Sequence, residues 1–151
     1  MGIIKDTMIE INKINDNQNQ YLKKINNKLW IIGGPAGGGK VNKVTAKYSV
    51  SRIFNGRDVI ALSDILEDFT FEDGKPVFRE SSLVQAMANG DTVLFDECDY
   101  FSDKVLDFIE TITKEDEIDL QDWGVTKIQG KVKIAPNFRV IAVFTTPSRW
   151  L

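Results

Sequence analysis

Residues 29–41 have the sequence LWIIGGPAGGGKV, in which a short apolar run leads into a glycine-rich loop and a lysine. The apolar run is typical of a buried strand, and apolar residues then recur at helical spacing from Lys40 to Phe54. Asn55-Gly56 predicts the end of that helix. A strand, a glycine loop and a helix, in this order, form the context in which such loops hold phosphate groups.

The loop spacing, Gly34-x4-Gly39-Lys40, matches the phosphate-binding pattern. Successive backbone N–H groups form a concave nest, the helix N-terminus adds partial positive charge, and the Lys40 ammonium reaches the outer phosphates. The alternative is a mobile glycine-rich turn without a ligand. On the phosphate interpretation, the nucleotide-binding residues are Gly34, Pro35, Ala36, Gly37, Gly38, Gly39, Lys40 and Val41.

Val41 occupies the position at which such loops place serine or threonine. A hydroxyl oxygen there would bind Mg²⁺, and a valine side chain has no lone pair to offer. Asn42 and Thr45 are polar neighbours, but neither lies at the helical turn that would replace the hydroxyl. The sequence therefore predicts that phosphate contact survives and that Mg²⁺ placement is weakened.

The run TVLFDE (92–97) is the most strand-like in the chain, and it ends in Asp96-Glu97. At the carboxyl end of a parallel strand, this pair faces the crevice where such sheets bind ligands. Asp96 would hold Mg²⁺ through water, and Glu97 would polarise the attacking water. The alternative is a strand that runs into a solvated acidic loop. Cys98 is interpreted as a packing residue, and Asp99, Asp103 and Asp107 as solvated charges at a helix start rather than metal ligands.

Strands alternate with helices along the chain, which predicts an α/β fold with a parallel sheet. Residues 1–28, with Ile4, Met8 and Ile11 at helical spacing, are expected to form a helical segment ahead of a core spanning 29–151. The other predicted elements are a strand at 58–62, hairpins at 69–78 and 125–134, helices at 81–90 and 103–114, and a buried strand at 138–146.

Composition excludes several classes of function. The 151 residues contain no histidine, which removes Ser-His-Asp and Cys-His sites and histidine-ligated zinc. One cysteine cannot form an internal disulfide, and no apolar run has the length of a membrane span, so a cytoplasmic location is expected and no membrane partner. Net charge is −3, so nucleic acid is an unlikely partner, although residues 1–30 carry five Lys against three acidic residues.

Three stretches in the same order resemble motifs of the AAA+ ATPases, and within them of the MoxR and cobaltochelatase-like branch related to dynein. GPAGGGKV resembles the Walker A loop GPPGTGKT of that family, and FRESSLVQAMANGDTVLFDECD resembles the helix and strand that carry Walker B. APNFRVIAVFTT is similar to the segment that enters the sensor-1 strand. The resemblance covers about residues 29–147 and implies the three-layer sandwich of P-loop NTPases, with a mostly parallel central sheet.

The resemblance implies an ATPase that uses ATP and Mg²⁺ and works in a homo- or hetero-oligomeric ring on a protein substrate. By position, Lys40 would bind phosphate, Asp96 would lie on the metal side, Glu97 would be the catalytic base and Thr145 the sensor-1 residue, with Thr146 as the alternative register. The hairpins near Phe71–Phe78 and Trp123–Lys133 resemble insertions of this branch, which implies contact with partners; ordinary hairpin packing is the alternative for their aromatic residues.

The chain departs from the family pattern at several positions. Ala36, Gly38 and Val41 differ from the usual loop, Ser81 replaces a glycine, and Thr145 stands where asparagine is usual. The sequence ends at Leu151, before the fifth core strand, the arginine-finger region and the helical lid, so a core without a lid domain is expected. The phosphate-loop strand would then lie near a sheet edge that the N-terminal segment or a second subunit has to cover.

Two functions from different classes remain open, and a third is weaker. The first is an ATPase with weakened hydrolysis, which the retained lysine and acidic pair favour. The second is a non-hydrolysing regulator that binds nucleotide on a degenerate AAA+ fold, which Val41 favours. Nucleic-acid translocation has only the lysines of the N-terminal segment in its support. Turnover of ATP that depends on Glu97 would distinguish the first from the second.

Overall fold

A six-stranded mixed sheet forms the centre of the computed structural model, which describes residues 12–15, 20–35, 39–59, 61–128 and 130–145. Four of its strands run parallel, and an antiparallel hairpin extends one side. Two small two-stranded sheets are separate from this central sheet. In chain order the elements are β1 (Asn12–Asn15), β2 (Gln20–Lys24), β3 (Leu29–Gly33), α1 (Lys40–Lys47), β4 (Arg52–Asn55), α2 (Ser63–Leu66), β5 (Glu67–Glu72), β6 (Lys75–Glu80), α3 (Ser82–Asn89), β7 (Thr92–Asp96), α4 (Asp103–Ile112), β8 (Glu117–Asp119), β9 (Lys131–Lys133) and β10 (Arg139–Phe144).

The strand order is β1-β2-β3-β10-β7-β4, with β3, β10, β7 and β4 mutually parallel. The predicted strands β3, β7 and β10 are confirmed, and all of their central residues are buried because helices cover both faces of the sheet. The larger core cluster packs between the sheet and α3 and α4, and the smaller one packs against α1. This arrangement is the predicted α/β sandwich with a mostly parallel sheet.

Several local predictions are confirmed by their capping and turn residues. Ser81 accepts a hydrogen bond from the Val84 amide and begins α3, which ends at Asn89. The β5–β6 hairpin turns at Asp73-Gly74 as predicted. Helix α4 buries the five apolar residues that its sequence places on one face: Val105, Leu106, Phe108, Ile109 and Ile112.

The second parallel strand was predicted in the wrong place. Helix α1 ends at Lys47 because Tyr48 adopts extended backbone angles, and residues 52–55 then form β4 instead of the end of the helix. Residues 58, 59, 61 and 62 are not part of a strand, and residue 60 is outside the described part. As an edge strand, β4 leaves Ile53 50% exposed, so its short sequence lacks the pattern of a buried strand.

The N-terminal segment was also predicted wrongly where the structure describes it. Residues 12–15 and 20–24 form an antiparallel hairpin rather than a helix, whereas Ile4, Met8 and Ile11 lie outside the described residues. Strand β2 pairs with β3 along Tyr21–Lys24, so the N-terminal segment covers the edge of the phosphate-loop strand, as one of the two predicted alternatives required. Backbone pairing with β3 decides the structure of this polar segment more than its own periodicity does.

The second small hairpin has a different first arm from the one predicted. Strand β9 pairs with β8 at residues 117–119, and not with residues 125–128. Gly130 accepts a hydrogen bond from the Leu120 amide next to this pairing. In the described part of the chain, no helix has the length and apolar composition to cross a bilayer.

Candidate functional site

The carboxyl ends of the four parallel strands lie at the same end of the sheet. Gly33 pairs with Phe144 in the register of β3 and β10, and Asp96 pairs with Asn55 in the register of β7 and β4. Because these ends align, the glycine loop after β3, the acidic pair after β7 and Thr145 after β10 emerge side by side. The phosphate-site hypothesis required this convergence, and the structure has it.

Lys40 is folded back onto the loop that precedes it. Its ammonium donates hydrogen bonds to the carbonyl oxygens of Gly34, at 2.8 Å, and Pro35, at 2.7 Å. Only 8% of the residue surface is exposed. The Lys40 ammonium thus contacts the start of the loop, and Ala36, Gly37 and Gly38 lie outside the described residues.

The start of α1 presents backbone donors without a side-chain competitor. Gly39 precedes the helix with φ 72° and ψ 24°, a left-handed conformation that favours glycine. No side chain caps the helix, and its first turn contains no acidic residue. A Cβ atom built on Gly39 would meet nothing within 4 Å, so open space borders the loop at this point. A helix start without a side-chain cap from the described residues, open space beside it and the positive end of the helix dipole suit an anion.

Burial and charge act in opposite directions on the two central ionisable groups. Burial lowers the pKa of Lys40, and the negative charges of Asp96 and Asp99 partly restore it. Burial raises the pKa of Asp96, a trend that the Glu97 amide and the Lys40 charge oppose. Each of these two charges acts on the pKa of the other group, so Lys40 and Asp96 lie near one another.

Glu97 adopts a strained backbone conformation directly after Asp96. Its φ of 50° and ψ of 48° lie in the left-handed region, which non-glycine residues rarely occupy. The Asp96 carboxylate accepts a hydrogen bond from the Glu97 amide at 2.8 Å, and the Glu97 carbonyl accepts one from the Tyr100 amide at 3.0 Å. The strain is therefore held by contacts on both sides of the residue.

The Glu97 carboxylate forms an ion pair that was not predicted from the sequence. Arg57 Nε lies 2.9 Å from Glu97 Oε2, and the same guanidinium donates to the Tyr100 hydroxyl at 2.7 Å. Arg57 follows β4, so its position was hidden when residues 52–55 were predicted to be helical. Had that strand been identified, the residues after its carboxyl end would have been placed at this edge.

A hydrogen bond between Asp99 and Thr145 joins the carboxyl end of β10 to the site. The Thr145 amide donates a hydrogen bond to Asp99 Oδ2 at 2.8 Å. Asp99 is exposed and lies in the first turn of a short 3-10 helix, Cys98–Tyr100, which agrees with its prediction as a solvated helix-start charge. Its carboxylate also fixes the end of β10 and acts on the pKa of Lys40, which was not predicted. Asp103 does lie in the first turn of α4, and Thr146 lies outside the described residues.

Cys98 is a packing residue, as predicted. It is fully buried, its thiol donates to the Phe95 carbonyl at 3.1 Å, and burial raises the pKa of the thiol well above its ordinary value. A buried thiol with a raised pKa has little thiolate and is a poor nucleophile.

With this geometry in place, comparison with known sequences decides the family. The sequence profile described as the AAA domain of the dynein-related subfamily matches residues 30–150. The chain belongs to this family. No curated protein matched it. As an AAA domain, it has the α/β fold of nucleotide-binding AAA+ ATPases, and the matched range contains the glycine loop, the acidic pair and Thr145.

Val41 has a packing contact in this AAA domain. Its half-buried side chain lies against the smaller core cluster, which includes Trp30, Ile32 and Val44. The Thr45 hydroxyl, the nearest hydroxyl on the helix, donates to the carbonyl oxygens of Val41 and Asn42 at 2.9 and 3.2 Å. Thr45 is thus engaged with its own helix and does not replace the missing hydroxyl.

The residues present fit ATP better than they fit Mg²⁺. Lys40, the N-terminal end of α1 and the open space beside Gly39 suit phosphate oxygens. Among the residues that the structure describes, no three acidic or cysteine side chains cluster as an all-protein metal site. Mg²⁺ often binds through one or two carboxylates, water and substrate phosphates, a role for which Asp96 is available.

Gly56 supports the acidic pair, and we expect Gly56→Ala to disturb it. A Cβ atom on Gly56 would overlap the Glu97 carbonyl oxygen and approach Tyr100 Cβ to 3.2 Å, and the Gly56 amide already donates to the Asp96 carbonyl at 2.9 Å. Such overpacking costs about 1–3 kcal/mol, so thermal unfolding should shift to lower temperature. Unchanged stability together with unchanged nucleotide affinity would contradict this close packing.

Proposed function

We propose that this AAA domain binds ATP at the loop of residues 34–41 and is the ATPase core of an oligomeric protein-remodelling machine, with weakened hydrolysis. One observation carries the proposal: the glycine loop with Lys40 and the pair Asp96-Glu97 follow the carboxyl ends of β3 and β7, two parallel strands that both pair with β10. The sequence resemblance further supports membership of the MoxR and cobaltochelatase-like branch.

Each site residue has a role in this proposal. Lys40 exchanges its hydrogen bonds to Gly34 and Pro35 for contacts to phosphate oxygens, assisted by the amides at the start of α1. Asp96 holds Mg²⁺ through water; the ion neutralises phosphate charge when it is bound. Glu97 accepts a proton from water, and Thr145 contacts the terminal phosphate.

Two features support weakened hydrolysis. Val41 places an apolar group in the core where a metal-binding hydroxyl is usual. The carboxylate of Glu97, the candidate base, is occupied by an ion pair with Arg57. Val41 and the ion pair between Arg57 and Glu97 therefore limit ATP hydrolysis more than they limit phosphate binding.

The same two features favour the second candidate, a nucleotide-binding regulator that does not hydrolyse ATP. In that case ATP binding changes the conformation or the partners of the domain, and Glu97 serves the fold through its pairing with Arg57. The two candidates share the nucleotide site and differ in whether Glu97 acts on water.

The β5–β6 hairpin supports contact with a protein. Its register places Phe69, Phe71, Pro76 and Phe78 on one face, and Phe69 and Phe71 are 54% and 69% exposed. Exposed aromatic rings on one face are typical of binding surfaces. The other predicted insertion has its aromatic residue in ordinary packing. The centre of the Trp123 ring lies 5.1 Å from the centre of the Phe108 ring.

Val41→Thr tests how the site handles Mg²⁺. We expect Mg²⁺ to strengthen ATP binding about fivefold more in the variant than in the wild type, because one added oxygen contact contributes about 1 kcal/mol. Isothermal titration with and without Mg²⁺ measures this. Val50→Thr is the control, since Val50 is half-buried against the same cluster.

The mass of the protein in solution, with and without Mg·ATP, separates the remodelling machine from the regulator. Assembly into a larger closed species on addition of Mg·ATP supports the machine. A monomer or dimer that binds ATP without changing its mass supports the regulator, and absence of any ATP binding rejects both.

A further inference from the structure

A cluster of cations and aromatic rings lies at the amino ends of the parallel strands, at the opposite end of the sheet from the nucleotide site. Lys24 Nζ lies 4.5 Å from the centre of the Trp30 ring, and the Arg139 guanidinium carbon lies 3.9 Å from it. Tyr48 packs edge-on against Trp30 at 5.1 Å, and Lys47 Nζ lies 5.5 Å from the Tyr48 ring. Three cations thus surround two touching aromatic rings.

The strand registers fix the position of this cluster. Lys24 is the cross-strand partner of Trp30, and Arg139 begins β10 one residue before the partner of Leu29. These are the amino ends of the parallel strands, whereas the glycine loop follows Gly33 at their carboxyl ends. Three residues of strand separate Trp30 from Gly33, a distance of about 10 Å. The cluster is therefore separate from the phosphate loop.

The cluster contains cations and enclosed hydrogen-bond donors without a partner among the described residues. Trp30 is 93% buried, since 7% of its surface is exposed, and its Nε1 atom is enclosed with no hydrogen-bond partner in the described part of the chain. The same holds for Arg139 Nε. Neither Lys24, Lys47 nor Arg139 forms an ion pair with a carboxylate of the described residues. Positive charges that no described carboxylate neutralises attract carboxylates that a ligand brings.

We propose that Lys24, Trp30 and Arg139 form a second binding site, which takes the carboxylates of an acidic segment of a protein partner. Arg139 offers the planar fork that matches a carboxylate, and Lys24 adds a second positive charge across the ring. Both side chains are half-buried, so each keeps a surface that a partner contacts.

Two observations favour an acidic peptide over nucleic acid. The Trp30 ring has a cation from β2 on one side and a cation from β10 on the other, and with 7% of its surface exposed it offers no face for a base to stack on. The chain as a whole has a net charge of −3, which opposes a long phosphate backbone but not a short segment of two or three carboxylates.

The test follows the indole N–H of Trp30 by NMR in the full chain, with the resonance assigned by its loss in Trp30→Phe. Titration with a capped hexaglutamate peptide should shift this resonance, and capped hexaglutamine should not. Arg139→Met and Lys24→Met should each weaken hexaglutamate binding about tenfold, because each removes one charged contact. Lys131→Met, which removes an exposed lysine of β9, should bind the peptide as the wild type does.

Three outcomes would overturn the assignment. The first is equal hexaglutamate affinity in wild type, Lys24→Met and Arg139→Met; the second is a Trp30 resonance that does not move at saturation. The third is tighter binding of a single-stranded oligothymidylate than of hexaglutamate with the same dependence on Lys24, which would make the site one for nucleic acid. If Arg139→Met fails to fold, Lys24→Met decides alone, because Lys24 lies at the end of β2 and not in the sheet centre.

Discussion

Replacing Lys40 with methionine should lower the affinity of the full chain for ATP by about 30-fold or more. Methionine keeps much of the length and the apolar part of lysine but has no charge and no donor. Each hydrogen bond between charged groups contributes about 1.5–3 kcal/mol, and 1.4 kcal/mol corresponds to tenfold in affinity. Lys40 is the one loop residue in the described range with a charged side chain, and it already points to the loop carbonyls beside the open space at Gly39. Isothermal titration with ATP measures the loss.

The pH dependence of binding gives a second, independent signature of Lys40. Because burial lowers its pKa below 10.5, the free protein should lose ATP affinity as pH rises through that lowered pKa, at a lower pH than an ordinary lysine would require. The folded state binds fewer protons than the unfolded state between the lowered pKa and 10.5, so the Lys40 contribution to stability rises with pH over the same window. Affinity and stability should therefore move in opposite directions, and the difference between wild type and Lys40→Met isolates both.

A suitable control for Lys40→Met is Lys114→Met, which removes a lysine that pairs with Glu110 on the surface of the helix α4 region. That variant should bind ATP as the wild type does. Equal ATP affinity in Lys40→Met and wild type would mean that the glycine loop is a structural turn, and the nucleotide site would then have to be abandoned.

The sequence was sufficient to predict the strands that carry the site residues, because those strands are buried on both faces of the sheet. LWIIG, TVLFD and RVIAVF are nearly continuous apolar runs, and each ends where the site begins. Once these strands are parallel, their carboxyl ends must share an edge. The apolar runs and their order along the chain are therefore enough to bring Lys40 and Asp96 together.

The remaining parts of the site depend on pairings that local sequence does not encode. Strand β4 is half exposed, so its residues resemble a helix as well as a strand, and the error hid Arg57. The hairpin of β1 and β2 is polar, and it is ordered by backbone pairing with β3 rather than by its own apolar pattern. The contact of Asp99 with the Thr145 amide spans 46 residues of sequence, and nothing near either residue predicts it.

The ion pair between Arg57 and Glu97 determines how the catalytic role of Glu97 should be tested. The Arg57 side chain is 59% exposed and that of Glu97 is 34% exposed, so solvent screens the pair and its strength should stay below about 1 kcal/mol. Arg57→Gln should then release the carboxylate and raise single-turnover ATP hydrolysis, by no more than about fivefold. A larger rise would mean that Arg57 does more than occupy Glu97.

Glu97→Gln should lower single-turnover hydrolysis by about 100-fold or more while ATP affinity stays within a few-fold of wild type. A general base contributes about 10²–10⁴ to a rate, and glutamine keeps the shape of glutamate without accepting the proton. The double variant Arg57→Gln/Glu97→Gln closes the cycle: if the freed carboxylate causes the rise in Arg57→Gln, that rise must vanish when the carboxylate is absent. If hydrolysis persists in Glu97→Gln, another group activates water. If neither single variant changes a rate that is already at the uncatalysed level, the regulator is the better description, because ATP binding then proceeds without chemistry at Glu97.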